Sequence, residues 1–313
     1  MSRLLPTIAV LLPTFNGERF VAGQIQSILE QSWPQWRIVT RDDGSEDDTA
    51  SIVSEFARRR PGRFHVVDEG GPRLGVDGSF SRLLDLTESR YYMFCDQDDV
   101  WLPDKMEKTL HCMRAMESEV GDGTPVLVHT DASVVDSSLR QLDASAWHYG
   151  YNNPAFSTSL NRLLVQNMVF GCTVMINSAL KKRATPIPEN VVQYDWWTAL
   201  VSLCFGRTSY ISEPTVLYRQ HEANTVGVRR WGAAYILEKI MKIRDRTPLV
   251  ASRRQAAELL NRYGDSLSSR HREMLRDYSS LGEKGILAKR RTLLKYRFFK
   301  TGLVRNLGLF AKI

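Results

Sequence analysis

Asp96, Asp98 and Asp99 place three carboxylates within four positions, directly after the apolar run Tyr91 to Cys95. Like charges this close resist ionising together. A cation relieves them, and hard carboxylate oxygens select Mg²⁺ or Mn²⁺ shared with phosphate oxygens. Asp96-Gln97-Asp98-Asp99 therefore points to a metal-bridged phosphate substrate. The alternative is a solvated acidic turn that caps a helix beginning near Leu102-Pro103.

Three further groups could meet a nucleotide. Pro13-Thr14-Phe15-Asn16-Gly17 offers a hydroxyl, an aromatic face and an amide beside a glycine. That set suits a nucleobase stacked on Phe15, or an ordinary strand-helix turn with Asn16 near the helix start. Arg41-Asp42-Asp43-Gly44-Ser45 offers Asp42 and Asp43 as acceptors for the imide N–H of uracil or thymine. It would equally serve a helix capped by Ser45, with Asp48 completing a capping-box-like start. Gly70-Gly71-Pro72-Arg73-Leu74-Gly75 offers Arg73 to a diphosphate, with Gly75 among glycines that permit close backbone approach. A plain surface loop is the alternative.

The elements that must hold these groups alternate in type. Strands are expected at Thr7–Leu12, Trp36–Arg41, Phe64–Val67, Tyr91–Cys95 and Pro125–Thr130. Helices are expected at Glu18–Gln31, from Ser45 onward, and at Gly78–Leu86. Strands separated by helices predict an α/β fold, a mostly parallel sheet with helices on both faces. Ligands then bind beyond the carboxyl ends of the strands. Downstream, Val165–Ile176 reads as strand-rich and Trp196–Phe205 as a buried helix. Tyr210–Tyr218 reads as a strand carrying Pro214, which places that proline on an edge strand or at a strand's start. From about Val228 the chain reads as helical.

Composition narrows the function classes. The hydrophobic fraction is 43%, enough for a large core. No run reaches the ~18 apolar residues of a membrane span, and a cytoplasmic protein is expected. Cys95, Cys112, Cys172 and Cys204 lack CxxC spacing and read as reduced thiols. The net charge is +7, yet Leu281 to Ile313 alone carries nine Lys or Arg against one Glu, leaving the rest at −1. A basic body gripping nucleic acid is not indicated.

The order of the clusters, each at a successive strand end, resembles the family 2 glycosyltransferases of the GT-A fold. The matching pieces are Leu12-Pro13-Thr14-Phe15-Asn16, Asp42-Asp43-Gly44-Ser45 and the DxD-type Asp96-Gln97-Asp98-Asp99. Asp98-Asp99-Val100-Trp101-Leu102-Pro103-Asp104-Lys105, Gln193-Tyr194-Asp195-Trp196-Trp197, and Glu213-Pro214 through Tyr218-Arg219-Gln220-His221 look like the bacterial rhamnosyltransferase branch. The likeness spans roughly Thr7 to Gly227. It implies a catalytic domain over residues 1–227 and a helical C-terminal region over 228–313.

The resemblance implies roles. Thr14, Phe15, Asn16, Asp42, Asp43, Arg73 and Gly75 would hold the nucleoside-diphosphate sugar with Asp96, Gln97 and Asp98. Asp98, Asp99 and His221 would ligate Mn²⁺ or Mg²⁺. Asp195 matches the catalytic base; the same residue could cap the helix ahead of Trp196. Apart from the resemblance, Trp101, Trp196 and Trp197 could wall an acceptor sugar or belong to the core, with Asp131 a further acceptor contact and Phe170-Gly171-Cys172-Thr173 lining the pocket. The implied reaction is metal-dependent, inverting transfer of a sugar to a glycan or lipid-linked glycan. dTDP-L-rhamnose is the favoured donor, and another hexose from a UDP-sugar the nearest alternative. A sugar nucleotidyltransferase would show a Gly-rich, Lys-bearing N-terminal loop, which Leu12 to Gly17 lacks. A non-catalytic nucleotide-sugar binding module would not need both Asp195 and the full acidic cluster.

In the tail, Leu293, Tyr296, Phe299, Leu303, Leu307 and Phe310 recur at spacings of three or four, one helical face. Basic residues flank it. Such a face can lie on an anionic membrane, here the inner face of the plasma membrane, or pack on the catalytic domain or on a second subunit as a homodimer contact.

Overall fold

The computed structural model describes residues 6–222, 224, 227–242 and 245–313. Its strands are β1 (Ile8–Thr14), β2 (Trp36–Asp42), β3 (Phe64–Val66), β4 (Tyr91–Phe94), β5 (Val100–Trp101), β6 (Val126–Asp136), β7 (Gln141–Asp143), β8 (Met175–Asn177) and β9 (Arg207–Gln220). Between them lie α1 (Val21–Leu29), α2 (Thr49–Arg59), α3 (Gly75–Leu86), α4 (Lys105–Val120), α5 (Ala146–Tyr149), α6 (Leu160–Val165), α7 (Ser178–Ala184) and α8 (Tyr194–Phe205). Five helices follow: α9 (Ala233–Met241), α10 (Thr247–Tyr263), α11 (Ser269–Ser279), α12 (Ile286–Tyr296) and α13 (Leu303–Lys312).

The strands form one sheet in the order β3-β2-β1-β4-β8-β6-β9-β5, with β7 added on β6. The long pairings are parallel: β1 with β2 and β4, β2 with β3, and β6 with β9. The chain winds outward from β1 to β3, then returns to place β4 on the other side of β1. That reversal opens a crevice beyond the carboxyl ends of β1 and β4. Thr14 and the Asp96–Asp99 turn flank it.

Strand alternation explains both cores. Ile8, Val10 and Leu12 of β1, with Tyr91 and Met93 of β4, bury on one face against residues of α1 and α4. Ala9, Leu11, Tyr92 and Phe94 bury on the other, against α3, α6 and α8. Successive strand side chains point to opposite faces, so one apolar run feeds both layers.

Several expectations are corrected. Val165–Ile176 is mostly not strand: α6 ends there, 167–174 is a looped segment, and only Met175–Asn177 pairs. Local bonds compete with a ladder in this stretch, among them Val169 N–H to Asn167 Oδ1 at 3.0 Å and Thr173 Oγ1 to Phe170 O at 2.7 Å. Nor is β9 an edge; it lies between β6 and β5. Pro214 is tolerated because it falls at a register break opposite Asp131, where a missing N–H interrupts nothing. The helix after Asp43 begins at Thr49 with Asp48 at its cap, not at Ser45.

The tail is not one helix. Arg297 adopts φ 54 and Gly302 φ 78, so α12 and α13 are separated by a turn. Leu293, Phe298 and Leu309 enter the same core cluster as α8 and α10, together with Leu259 and Tyr278. Leu303 and Leu307 remain 76% and 62% exposed. No helix among the described residues is long and apolar enough to cross a membrane.

Candidate active site

The first wall of the crevice is a network of short loops. Thr14 Oγ1 donates to Asp42 Oδ1 at 2.9 Å. Asp42 also accepts the Gly44 and Ser45 N–H groups and the Ser45 hydroxyl. Asn16, at φ 44, bridges the loops: its N–H donates to Ser45 Oγ at 2.9 Å and its carbonyl accepts Glu46 N–H at 2.8 Å. Ser45 is thus a loop staple rather than a helix cap.

Asp43 is buried and anchors the third loop. It accepts the N–H groups of Leu74 at 2.8 Å and Gly75 at 2.7 Å, and pairs with Arg41. These bonds hold its carboxyl below the usual range against the opposing effect of burial. Arg73 lies with its guanidinium carbon 3.4 Å from the Phe15 ring centroid. Gly75 sits at φ 70, which glycine adopts without strain.

Gln97 joins this wall to the acidic turn. Its Oε1 accepts Phe15 N–H at 2.9 Å and its Nε2 donates to Phe15 O at 2.7 Å. A Cβ on Gly17 would lie 2.4 Å from the Gln97 amide, so glycine is what lets the clamp close.

The carboxylates are crowded as expected. Burial, then Asp98 and Asp195, push Asp96 up to about 8. Burial, then Asp98 and Asp96, push Asp99 well above its ordinary value. Asp99 Oδ1 accepts Arg219 N–H at 3.0 Å. Its Oδ2 is buried with no hydrogen bond of ordinary length; the Cys172 thiol, a weak donor, faces the same carboxylate. Asp98 meets His221 Nε2 at 2.7 Å. Ligand atoms of Asp96, Asp99 and Cys172 lie within 4.8 Å of one another. A buried carboxylate oxygen met by a weak thiol donor amid like charges fits a hard dication. Cys172 does not, because burial and both aspartates keep it a thiol.

Three supporting residues escaped the sequence reading. Arg219 donates from Nε to Asp98 O at 2.6 Å and from a terminal nitrogen to Ser137 O at 2.8 Å, lashing the turn to β9. Lys105 is buried, and burial lowers its pKa to about 8 against the opposing effects of Cys172, Cys95 and Asp99. Asp77 accepts the Tyr194 N–H. Arg219 and Lys105 lie inside the quoted motifs, so proximity in sequence was their available signal; Asp77 offered none.

Asp195 sits in the first turn of α8, with Gln193 as N-cap, so it is not the cap. Its Oδ1 accepts Trp196 N–H at 2.5 Å and faces Asn167 Nδ2 at 3.4 Å. Burial raises its pKa to about 7; Asp77 adds to the rise, while bonds from Trp196, Gly171 and Asn167 oppose it. The position is fixed by packing. Tyr194 stacks on Phe80 at 4.2 Å and meets Phe94 edge-on at 5.0 Å, contacts worth ~0.5–1.5 kcal/mol each beyond burial. Gly171 is required there, since a Cβ would lie 2.0 Å from the Tyr194 hydroxyl.

The expected acceptor walls are corrected. Trp101, Trp196 and Trp197 are core residues, at most 8% exposed. Trp196 and Trp197 donate their indole N–H to Leu163 O and Ala184 O, and no free face remains for a sugar. Asp131 is also enclosed: it accepts the Ser145 hydroxyl and the Ala132 N–H, and organises the start of α5.

The chain is 27% identical over 222 residues to the Shigella flexneri dTDP-rhamnosyl transferase RfbG, covering 69% of this chain and 73% of that one. It is 24% identical over 237 residues to the Bacillus subtilis putative teichuronic acid biosynthesis glycosyltransferase TuaG, covering 75% and 86%. Among solved structures, S. aureus TarS 1-349 in complex with UDP aligns at TM-score 0.58 and 18% identity, over 87% of this chain and 70% of that one. The mannosyltransferase PcManGT from Pyrobaculum calidifontis, in complex with GDP-Man and Mn²⁺, aligns at 0.54 and 18%, over 98% and 79%. Residues 9–176 match the profile of Glycosyl transferase family 2, and this chain, with its GT-A sheet and its strand-end clusters, belongs to that family of nucleotide-sugar-dependent transferases.

Proposed function

We propose that this enzyme transfers L-rhamnose from dTDP-L-rhamnose, with inversion, to a hydroxyl of a growing bacterial surface polysaccharide or lipid-linked glycan. Residues 1–227 carry the chemistry and 228–313 brace it. The observation that carries the reading is Asp195: a buried carboxylate raised to about 7, close enough to the acidic turn that its charge helps raise Asp96. The name of the Shigella relative favours the rhamnosyl donor.

In this reading Asp195 takes the acceptor O–H proton as that oxygen attacks the anomeric carbon. The bond from that carbon to the donor diphosphate breaks on the opposite face, and the nucleoside diphosphate leaves with the electron pair. A base titrating near neutrality is matched to this transfer. Asp96, Asp98, Asp99 and His221 would hold Mn²⁺ or Mg²⁺, which when bound stabilises charge on the leaving diphosphate. Phe15, Thr14 and the Asp42–Asp43 loop receive the base, and Arg73 is within reach of the same pocket.

A thermal-shift screen of dTDP-L-rhamnose, UDP-glucose and UDP-N-acetylglucosamine with Mn²⁺ tests the donor. Selective stabilisation by dTDP-L-rhamnose is expected; selective stabilisation by a UDP-sugar would replace it. A place on the inner face of the plasma membrane rests on the exposed Leu303 and Leu307 of basic α13. Equal binding of wild type and the Leu303→Asn, Leu307→Asn pair to phosphatidylglycerol vesicles would remove that part.

A further inference from the structure

A cavity of about 380 Å³ lies between α9, α13 and the loops around residues 150 and 166–170. Five of its lining residues are Lys or Arg, and none is Asp or Glu. Arg229 is neutralised by Glu238 at 2.7 Å. Lys239, Lys300, Arg305 and Lys312 have no carboxylate within ion-pair distance among the described residues. Arg305 and Lys312 lean instead on the backbone carbonyls of Gly150 and Asp245. Burial, then Lys312, Arg305 and Lys239, hold the Lys300 ammonium down to about 8. Cations gathered this way repel, and a bound anion removes the penalty.

The cavity also has an aromatic floor. Trp231 stacks on Tyr151 at 5.2 Å, faces Tyr235 at 5.3 Å and carries Arg305 at 4.3 Å from its ring. Its position relative to the base is set by one loop. Gln166 and Phe170 line the cavity, while Asn167 and Gly171 of the same segment hydrogen-bond Asp195. The cavity and Asp195 thus share the 166–171 segment.

We propose that this cavity is an acceptor subsite that binds a phosphate or diphosphate ester carried by the glycan receiving the sugar. Its volume suits such a group with part of its attached residue. Lys300 and Arg305 supply charge-assisted bonds to the ester oxygens, and Trp231 and Tyr235 supply apolar faces beside them. The proposal rests on the reading of Asp195 as the base, since that residue fixes which side of the crevice is the acceptor side.

Calorimetry of the full chain with inorganic pyrophosphate in EDTA tests the cavity without the cation that the donor diphosphate shares. Wild type and Asp98→Asn are expected to bind alike. Lys300→Met and the exposed Lys239→Glu are expected to bind at least about tenfold more weakly. Unchanged affinity in both lysine variants, or no binding by wild type, would overturn the proposal. Farnesyl diphosphate distinguishes the source: tighter binding than pyrophosphate assigns the ester to a lipid carrier, and equal binding assigns it to a water-soluble phosphate. Turnover by Asp195→Asn would sink the base assignment separately and would leave these affinities untouched.

Discussion

The Asp77 carboxylate of α3 accepts the Tyr194 backbone N–H at 2.9 Å, although 117 residues separate them. The first turn of a helix leaves N–H groups without intrahelical partners, and here another helix supplies the acceptor. The same carboxylate raises Asp195, one residue further on. Asp77→Asn keeps an oxygen for the N–H and removes the charge. The acid limb of its kcat profile is expected to move to lower pH; a limb that stays in place would show that Asp77 does not tune Asp195.

In the proposed function the deprotonated form of Asp195 is the active base. Activity is then expected to rise with pH through about 7, to level off above it and to fall away below it. Asp195→Asn should lower kcat by ~10²–10⁴ while leaving donor affinity within a few-fold, as read by calorimetry with the nucleotide sugar. Loss of donor binding to the same degree as kcat would assign Asp195 to binding instead.

Asp98→Ala and Asp99→Ala remove oxygens from the acidic turn. Nucleoside-diphosphate affinity in Mn²⁺ should drop about tenfold or more in each, and chelation of wild type should reproduce the loss. Affinity in Mn²⁺ unchanged in both variants would exclude these two carboxylates as ligands.

Gly17→Ala is expected to displace Gln97 from Phe15, since the new Cβ would lie 2.4 Å from its amide. Losing that pair of bonds costs ~1–3 kcal/mol, seen as a lower melting temperature and weaker donor binding. A variant with wild-type donor affinity would show that the clamp can reform elsewhere.

The gathering of the strand-end clusters was legible because each follows an apolar run ending at one edge of the sheet. Thr14, Asp42, Asp43 and Asp96–Asp99 all reach the crevice for that reason. Side chains whose partners are distant were not legible. Asp77 meets Tyr194 only because α3 packs on α8, and the insertion of β8 between β4 and β6 has no local signal. The tryptophans stayed open between two readings because aromatic residues beside a motif serve core and sugar equally well; their burial favours the core. The three-or-four spacing of the tail was real, but Phe298 enters the core and the left-handed Arg297 ends the helix before the pattern does.

Gln97 stands between Asp96 and Asp98, and both polar atoms of its amide are bound to the Phe15 backbone. The Phe15 loop and the acidic turn are therefore tied through the Gln97 side chain. If Phe15 receives the donor's base as proposed, a shift there is relayed through Gln97 to the carboxylates on either side of it, and the reverse holds equally. Binding energies linked in this way are reciprocal: the factor by which a cation tightens the hold on the base is the factor by which the base tightens the hold on the cation. On the proposed function, discrimination among nucleobases would then depend on ionic conditions, and a donor ranking made in one buffer would be a property of enzyme and cation together.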